Sequence, residues 1–342
     1  MSKDLATRTI IILPDDTKKP IVDAIDGAKK SIKIKMFVFS DPDLINAVIA
    51  AKKRGIDVQV MLNPARRSGE EENSETRKLL EAAGIEVKDS NPKFGLTHEK
   101  SMVIDEDTAF IKSLNWATKN LTVTRDYAIT TSHKHEVDEV VACFTADWNR
   151  TDFEPGEHAH MIWCTGNGRD RIARFIDDAK HTLFVENERY QDSVIIERLV
   201  RAATRGVKVH VMARPPHSLK KDKLVEAAGG LRIMDDVGIK IHTLRHLKLH
   251  GKMLIADGCR AIVGSINLAP GSFDDRRELA IEVHDEDVVL RLQEIAHQDW
   301  KNSHPLDLTD EGLIADLENK GSGGEENLAL NIKKKDKHED ED

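Results

Sequence analysis

Residues 98–105 read His-Glu-Lys-Ser-Met-Val-Ile-Asp, and residues 250–257 read His-Gly-Lys-Met-Leu-Ile-Ala-Asp. His, Lys and Asp stand at the same places in both stretches, and a Ser and an Asn follow each stretch at matched distances. These following residues are Ser113, Asn115, Ser265 and Asn267. Five residue types at fixed spacing recur by chance at roughly (1/20)^5 per starting position, so the two stretches are copies of one motif.

The similarity extends beyond the motif. Shifting the chain by 151 residues superposes further pairs: Ile21 on Ile172, Ile25 on Ile176, Asp26 on Asp177, Arg54 on Arg205, Gly55 on Gly206 and Pro64 on Pro215. In each half, segments with the alternating pattern of strands follow segments with the helical period. We therefore predict an α/β fold of two similar sandwich repeats, packed as a pseudo-twofold dimer around one shared active site. The expected units are residues 1–155 and 156–312, followed by a disordered charged tail at 313–342.

Composition limits the functions open to the chain. Its 342 residues carry 51 basic and 60 acidic side chains, a net charge of -9, which argues against a protein that coats nucleic acid through excess positive charge. The three cysteines have no paired spacing, and no apolar run approaches the ~20 residues of a membrane span. We expect a cytoplasmic protein without a transmembrane segment, whose contact with a membrane would be peripheral. The sequence leaves the oligomeric state open.

The spacing within each motif predicts how its side chains are arranged. A two-residue turn at positions 106 and 107 would place Lys100 opposite Ser113 and His98 opposite Asn115 on neighbouring strands. The second copy would pair Lys252 with Ser265 and His250 with Asn267 in the same way. Each hairpin would then present His, Lys, Ser and Asn on one face.

These side chains suit a phosphoryl group. Lysine supplies positive charge, Ser113, Asn115, Ser265 and Asn267 supply hydrogen bonds to substrate, and histidine can attack phosphorus or move a proton. Two repeats would bring one histidine to each side of the phosphorus. No acidic cluster with metal spacing accompanies the motif, so we expect no cofactor and no obligatory metal.

Two further carboxylates recur with the motif. Asp126 and Glu278 follow an arginine in each half, and we expect each to orient a catalytic imidazole through its other ring nitrogen. Asp105 and Asp257 end the motif at the turn, one step out of the His and Lys face. The residues alone favour a turn or hydrogen-bonding role for them over direct chemistry.

The paired His-x-Lys-x4-Asp motif resembles that of the phospholipase D superfamily, in which Gly-Ser-x-Asn follows. The resemblance covers about residues 8 to 305 and implies two α/β halves meeting at one active site. It implies that His98, Lys100, Asp105, His250, Lys252 and Asp257 are the catalytic residues. It also implies a covalent phosphohistidine on His98, with His250 as the general acid. The first copy departs from the pattern because Lys112 replaces the glycine that the second copy keeps as Gly264.

The resemblance leaves three alternatives open for the function. Bacterial members similar to this chain suggest a phospholipid, cleaved with transfer of the phosphatidyl group to water or an alcohol. The alternative is a metal-independent nuclease of the same superfamily, because Asn115-Trp116 resembles an Asn-Trp pair found in many nucleases and Trp116 could stack on a base. A non-catalytic scaffold is disfavoured because both His-x-Lys pairs are intact.

Overall fold

The computed structural model describes residues 6–65, 69, 71–156, 160–215, 221–309 and 311, with residues 221–226 described by their backbone alone. The first half runs β1 (Arg8–Leu13), α1 (Lys19–Gly27), β2 (Ser31–Met36), α2 (Pro42–Lys53), β3 (Asp57–Leu62), α3 (Ser74–Ala82), β4 (Glu86–Asp89), β5 (Leu96–Thr97), β6 (Ser101–Ile104), β7 (Thr108–Lys112), α4 (Thr118–Thr122), β8 (Thr124–Thr131) and α5 (Lys134–Asn149). The predicted tail at 313–342 lies outside the described residues.

The second half repeats this order. It runs β9 (Met161–Cys164), α6 (Gly168–Asp177), β10 (Thr182–Asn187), α7 (Ser193–Thr204), β11 (Lys208–Ala213), α8 (Lys221–Asp236), β12 (Lys240–Leu244), β13 (Lys248–Leu249), β14 (Met253–Ala256), β15 (Arg260–Gly264), α9 (Pro270–Asp274), β16 (Arg276–Val283), α10 (Glu286–Lys301) and β17 (Ser303–Pro305). The prediction of two similar α/β repeats is confirmed.

Each half builds one mixed sheet. The first has the strand order β1-β8-β7-β6-β2-β3-β4, and the second has the order β17-β12-β11-β10-β14-β15-β16 with β9 also beside β16. Local signals explain the helices that join the parallel strands. Asp41 and Asp192 cap the first turns of α2 and α7, and Gly55 and Gly206 follow those helices at φ values of 88° and 91°. Positive φ favours glycine, so the chain turns there into the next strand.

The two sheets face each other across a central apolar core. Strands from both halves contribute, together with α5 and α10; the core includes Val103, Ile111, Ile129, Val140, Met253, Ile255, Val263, Ile281 and Leu292. The outer face of the first sheet packs on α1 and α2, and that of the second packs on α6 and α7. Sheets buried on both faces need apolar residues at successive positions, as the runs in β1 and β9 show.

The halves also exchange strands. β5, from the first half, pairs with β16 of the second sheet, and β13, from the second half, pairs with β8 of the first sheet. Each exchanged strand directly precedes a motif histidine. The exchange therefore places each histidine against the opposite half.

The predicted hairpin register is wrong by one residue. Ile104 pairs with Thr108, and the amide N–H of Lys112 donates to the carbonyl of Lys100, so Lys100 lies opposite Lys112 rather than Ser113. The second copy has the same shift, with Ala256 opposite Arg260. The shift of one arises because three residues, 105–107, separate the paired residues where two were predicted, and the central pair of the turn, the pair with positive φ, lies one residue earlier.

That central pair is Asp105-Glu106 in the first copy and Asp257-Gly258 in the second. Their φ values are 56° and 55° in the first turn and 54° and 66° in the second. Asp and Gly tolerate this left-handed backbone better than most residues. In the part of the chain that the structure describes, no helix combines the length and the apolar character that crossing a bilayer requires.

Candidate active site

His98 is held by the second half of the chain. The backbone N–H groups of His98 and Glu99 donate to the carbonyl of Arg277 at 3.0 and 2.9 Å. The imidazole Nδ1 lies 2.9 Å from Oε2 of Glu278 and 3.2 Å from the carbonyl oxygen of Ser265. Because a carbonyl oxygen can only accept, Nδ1 carries the proton and Nε2 keeps its lone pair. This tautomer is the one a nucleophile needs.

His250 is held by the first half in the mirrored way. The N–H groups of His250 and Gly251 donate to the carbonyl of Arg125, and Nδ1 lies 2.8 Å from Oδ1 of Asp126. Burial would raise the pKa of the Asp126 carboxyl, but His250, Lys252 and a hydrogen bond from Ser113 lower it below its ordinary value. Asp126 is therefore an ionised acceptor for the Nδ1 proton.

The predicted pairing of carboxylates with imidazoles is thus present in the geometry, and it crosses between the halves. Asp126 contacts the histidine of the second motif, and Glu278 contacts that of the first. Burial raises the pKa of Glu278 against the opposing effect of Lys100. Sequence spacing did not indicate which histidine each carboxylate would contact, because that depends on the strand exchange.

The two motif lysines lie beside their own histidines. The Nζ of Lys100 donates to the carbonyl of His98, and that of Lys252 donates to the carbonyl of His250. Burial, and then the charge of Lys252, outweigh nearby carboxylates and hold the pKa of Lys100 well below its ordinary value. Burial, followed by the charges of Lys100 and Lys252, likewise lowers the pKa of His98 well below 6.5. The two motifs therefore act on each other electrostatically within one cluster.

The serines that follow the motifs support the carboxylates. Ser113 Oγ donates to Asp126 Oδ1 at 2.6 Å, and Ser265 forms a hydrogen bond that lowers the pKa of Glu278. Both hydroxyls are fully buried and also accept a backbone N–H, from Tyr127 and Leu279. Contact of Ser113 and Ser265 with substrate stays a prediction.

The asparagines remain candidates for substrate contact. Asn115 and Asn267 are 6% and 4% exposed, and among the described residues the Oδ1 atom of each has no hydrogen-bond partner. A buried amide without a partner is costly unless a ligand or water completes it. Substrate binding by Asn115 and Asn267 stays a prediction.

Asp105 and Asp257 contact backbone at the start of a neighbouring strand. Asp105 accepts N–H groups from Lys29, Lys30 and Ser31, at 2.6 to 3.1 Å. Asp257 accepts those of residues 180–182 in the same way. Among the described residues, no hydrogen bond or ion pair joins either carboxylate to a motif histidine or lysine. These contacts fit the turn and hydrogen-bonding role that the residues alone favoured, and a catalytic role for Asp105 and Asp257 stays a prediction of the resemblance.

Trp116 and Lys112 lie away from the solvent. Trp116 is completely buried in the first half's core with its ring 4.8 Å from that of Phe39, so it offers no surface for a nucleic-acid base. The Nζ of Lys112 lies 4.6 Å from the Trp116 ring centre and has no hydrogen-bond partner in the described part of the chain. Burial lowers the pKa of Lys112 well below its ordinary value. Lys112 therefore forms part of the core of the first half.

A buried ionic cluster lies next to His98. The Nζ of Lys35 lies 2.9 Å from a Glu99 oxygen, 2.8 Å from an Asp147 oxygen and 3.4 Å from Cys143 Sγ. Among the described residues, Glu99, Cys143 and Asp147 lie close enough together to ligate a metal ion. The ammonium of Lys35 contacts all three. Arg277 also binds Asp147 through two hydrogen bonds of 3.0 Å. The cluster therefore links Glu99, the residue after His98, to Arg277, whose carbonyl accepts the backbone N–H groups of both.

Glu188 was missed from the sequence although it lies in the site. Its Oε2 is 2.7 Å from Lys252 Nζ and 4.0 Å from His250 Nε2. The 151-residue shift places Glu188 on Phe37, so the repeats differ in residue type there. Glu188 is therefore not among the residues that the two repeats share. The sequence signal for it is a difference in charge between the repeats.

Comparison with known proteins places this chain in a family. The family model described as "Cardiolipin synthase, PLD-like domain" matches residues 21–148 and 172–300. Cardiolipin synthase B of Escherichia coli is 25% identical over 305 residues, which cover 77% of this chain and 72% of that protein. A polyphosphate kinase of Vibrio cholerae is 27% identical over 293 residues, and the match spans 80% of this chain but only 40% of the kinase.

A solved structure shows the same fold. Phosphatidylserine synthase of Haemophilus influenzae superposes with a TM-score of 0.68 at 13% identity, covering 87% of each chain. The family model matches both repeats and includes both motifs. The chain therefore belongs to the phospholipase D superfamily.

Proposed function

We propose that this protein cleaves a phosphodiester of a phospholipid and transfers the phosphatidyl group to water or an alcohol, as a hydrolase or transferase. The observation that carries the proposal is the pair of imidazoles, His98 and His250, each fixed at Nδ1 by a carboxylate of the other half. Lys100 and Lys252 lie beside them to balance the charge of the phosphoryl group. The chemistry as proposed uses these side chains and needs no metal or cofactor.

In the first step, Nε2 of His98 attacks phosphorus and the bond from phosphorus to the leaving oxygen breaks. The proton on Nε2 of His250 moves to that oxygen, so the alcohol leaves neutral. His98 suits the nucleophile's role because the Ser265 carbonyl fixes its tautomer and because its lowered pKa keeps it neutral. The product of this step is a phosphohistidine on His98.

In the second step, His250 takes the proton of a water or acceptor alcohol through Nε2. The new oxygen–phosphorus bond forms as the bond from His98 Nε2 to phosphorus breaks, which restores the free enzyme. Throughout both steps, Glu278 stays hydrogen-bonded to Nδ1 of His98 and Asp126 to Nδ1 of His250, so both rings are held in place. The Oδ1 atoms of Asn115 and Asn267, which have no hydrogen-bond partner among the described residues, accept hydrogen bonds from the lipid head group.

A lipid substrate is supported by the relatives. Cardiolipin synthase B is covered over 72% of its length, and the fold is that of a phosphatidylserine synthase. Contact with the membrane would then be peripheral, from the cytoplasmic side. The three cysteines are free thiols, which fits a reducing compartment.

The test supplies the purified protein, in EDTA, with phosphatidylglycerol vesicles and an alcohol, and separately with single- and double-stranded DNA. We expect transfer to the alcohol, absent in His98→Ala and retained in the matched surface variant His297→Ala. A phosphoryl adduct stable to denaturation should form in His250→Ala and not in His98→Ala. DNA cleavage without lipid turnover would contradict the lipid proposal and assign the nuclease function.

A further inference from the structure

The two repeats differ in charge at a position beside the histidines. Phe37 follows β2 in the first half, and Glu188 occupies the corresponding position after β10 in the second. The site thus has pseudo-twofold symmetry in its histidines and lysines but not at this position. The two histidines have different roles in the proposed reaction, since one is the nucleophile and the other transfers a proton. A difference between their surroundings can serve these different roles.

On the first side, the wall is apolar. The Phe37 ring centre lies 4.9 Å from that of His98 in an edge-to-face arrangement, and Lys100 Nζ lies 5.0 Å from it. An aromatic ring offers no strong hydrogen-bond acceptor to an incoming alcohol. This side is suited to the phosphoryl group and the nucleophile.

On the second side, the wall is a carboxylate. Glu188 is 12% exposed, and its two oxygens lie 2.7 Å from Lys252 Nζ and 3.3 Å from Arg214 Nη1. Burial would raise the pKa of Glu188, but Lys252, His250 and Arg214 hold it well below its ordinary value. The ionised carboxylate lies 4.0 Å from Nε2 of His250, the atom that handles the leaving and entering oxygens in the proposed function.

We propose that Glu188 forms a hydroxyl-binding subsite beside His250, which selects a polyhydroxylated alcohol as the group that leaves and the group that enters. The inference rests on the proposed function, because it uses His250 Nε2 as the proton-transferring atom. When one hydroxyl of such an alcohol lies at Nε2, a hydroxyl on the next carbon reaches the carboxylate. A carboxylate accepts hydrogen bonds only, so it favours a donor there.

The surroundings favour a neutral hydroxyl over an ammonium group. Lys252 and Arg214 already contact Glu188, so a third cation would meet two positive charges. A neutral hydroxyl adds a hydrogen bond without that repulsion. The acceptor class is therefore a polyol rather than an amino alcohol.

The experiment measures how the phosphatidyl group is partitioned between glycerol and 1-propanol, offered together at equal concentration to the full-length protein. These alcohols have the same carbon chain and differ only in their extra hydroxyls. We expect glycerol to be preferred by about 10- to 100-fold, the value of a hydrogen bond to a charged group. Glu188→Phe, which copies the first half, should bring the ratio near one, and Glu188→Asp should keep much of the preference.

Glu197→Gln on α7 is the matched control, because its carboxylate is 46% exposed and pairs with surface arginines. An unchanged ratio in Glu188→Phe, with transfer still measurable, would overturn the inference and leave the proposed function standing. A preference for ethanolamine over glycerol that depends on Glu188 would also overturn it. If the folded wild-type protein transfers nothing from phospholipid to either alcohol or to water, the proposed function itself fails.

Discussion

The Nδ1 atom of His98 lies 2.9 Å from Oε2 of Glu278, although 180 positions of the chain separate the two residues. Their counterparts, His250 and Asp126, are 2.8 Å apart and 124 positions distant. Each half thus supplies one imidazole and the carboxylate for the other. The intact pair of halves is the unit that can hold both rings.

The orienting carboxylates can be tested by removing their charge. We expect Glu278→Gln and Asp126→Asn each to lower kcat by about 10² to 10⁴, because a neutral amide can stabilise the wrong tautomer of the ring. Steady-state kinetics of phosphatidyl transfer measure the loss. Glu282→Gln, on the same strand as Glu278, serves as the control; equal losses in both variants would contradict the orienting role.

The lowered pKa of His98 predicts how adduct formation depends on pH. Burial, with Lys100 and Lys252, holds this pKa well below 6.5. Since the neutral imidazole is the nucleophile and prevails above its pKa, lowering the pKa extends reactivity to more acidic pH. Single-turnover adduct formation should therefore stay undiminished down through pH 6.5, and a loss of rate already above that pH would oppose the assignment.

Two reciprocal ion pairs join the halves. Arg277 binds Asp147 through two hydrogen bonds, and Arg125 binds Asp299 at 2.7 and 2.9 Å. Losing Arg277 leaves Asp147 and Glu99 to share the ammonium of Lys35, which is a buried excess of negative charge, so Arg277→Met should lower the free energy of unfolding by about 3 to 5 kcal/mol. Urea denaturation measures this.

The control for that prediction is the exposed pair of Arg201 and Glu197. Its side chains are 60% and 46% exposed, and Arg201→Met should change the free energy of unfolding by only about 0 to 1 kcal/mol. If the two arginine variants lose the same stability, the buried pair has no special part in holding the halves together.

The motif aspartates should behave as structural residues. Asp105→Ala removes the acceptor of three backbone N–H groups and should cost about 1 to 3 kcal/mol of unfolding free energy. The folded fraction should keep kcat/KM within a few fold of wild type. Asp257→Ala should do the same, and a loss of activity as large as that of His98→Ala without a loss of stability would instead make these residues catalytic.

Lys112 places an amine in the core without a hydrogen-bond partner among the described residues. Lys112→Met keeps the length of the side chain and removes the buried polar atom, so the free energy of unfolding should rise by about 1 to 3 kcal/mol. Lys119→Met, on an exposed position of α4, provides the comparison. Destabilisation by Lys112→Met would show that the contact with Trp116 outweighs the burial of the amine.

Sequence alone predicts the two repeats and many of their strands, because apolar alternation and the helix-ending Gly55 and Gly206 are local signals. It does not predict β8 and β16, the strands that carry Asp126 and Glu278. It does not predict which sheet a two-residue strand such as β5 joins, since that choice depends on packing between the halves. The register of the motif hairpin was missed because Asp105 and Glu106 both adopt positive φ, which is uncommon outside glycine. Glu188 was missed because the motif was recognised from residues that both repeats share, and the first repeat has Phe37 at this position.

The strand exchange has a consequence for the duplicated gene. Because β5 and β13 each bind the opposite sheet, a single half expressed alone would lack both the strand and the carboxylate that position its own histidine. Because both copies are part of one chain, they are always present in equal number and close to each other. Two linked copies can carry different residues on their own sides of the site and still match each other, as Phe37 and Glu188 do.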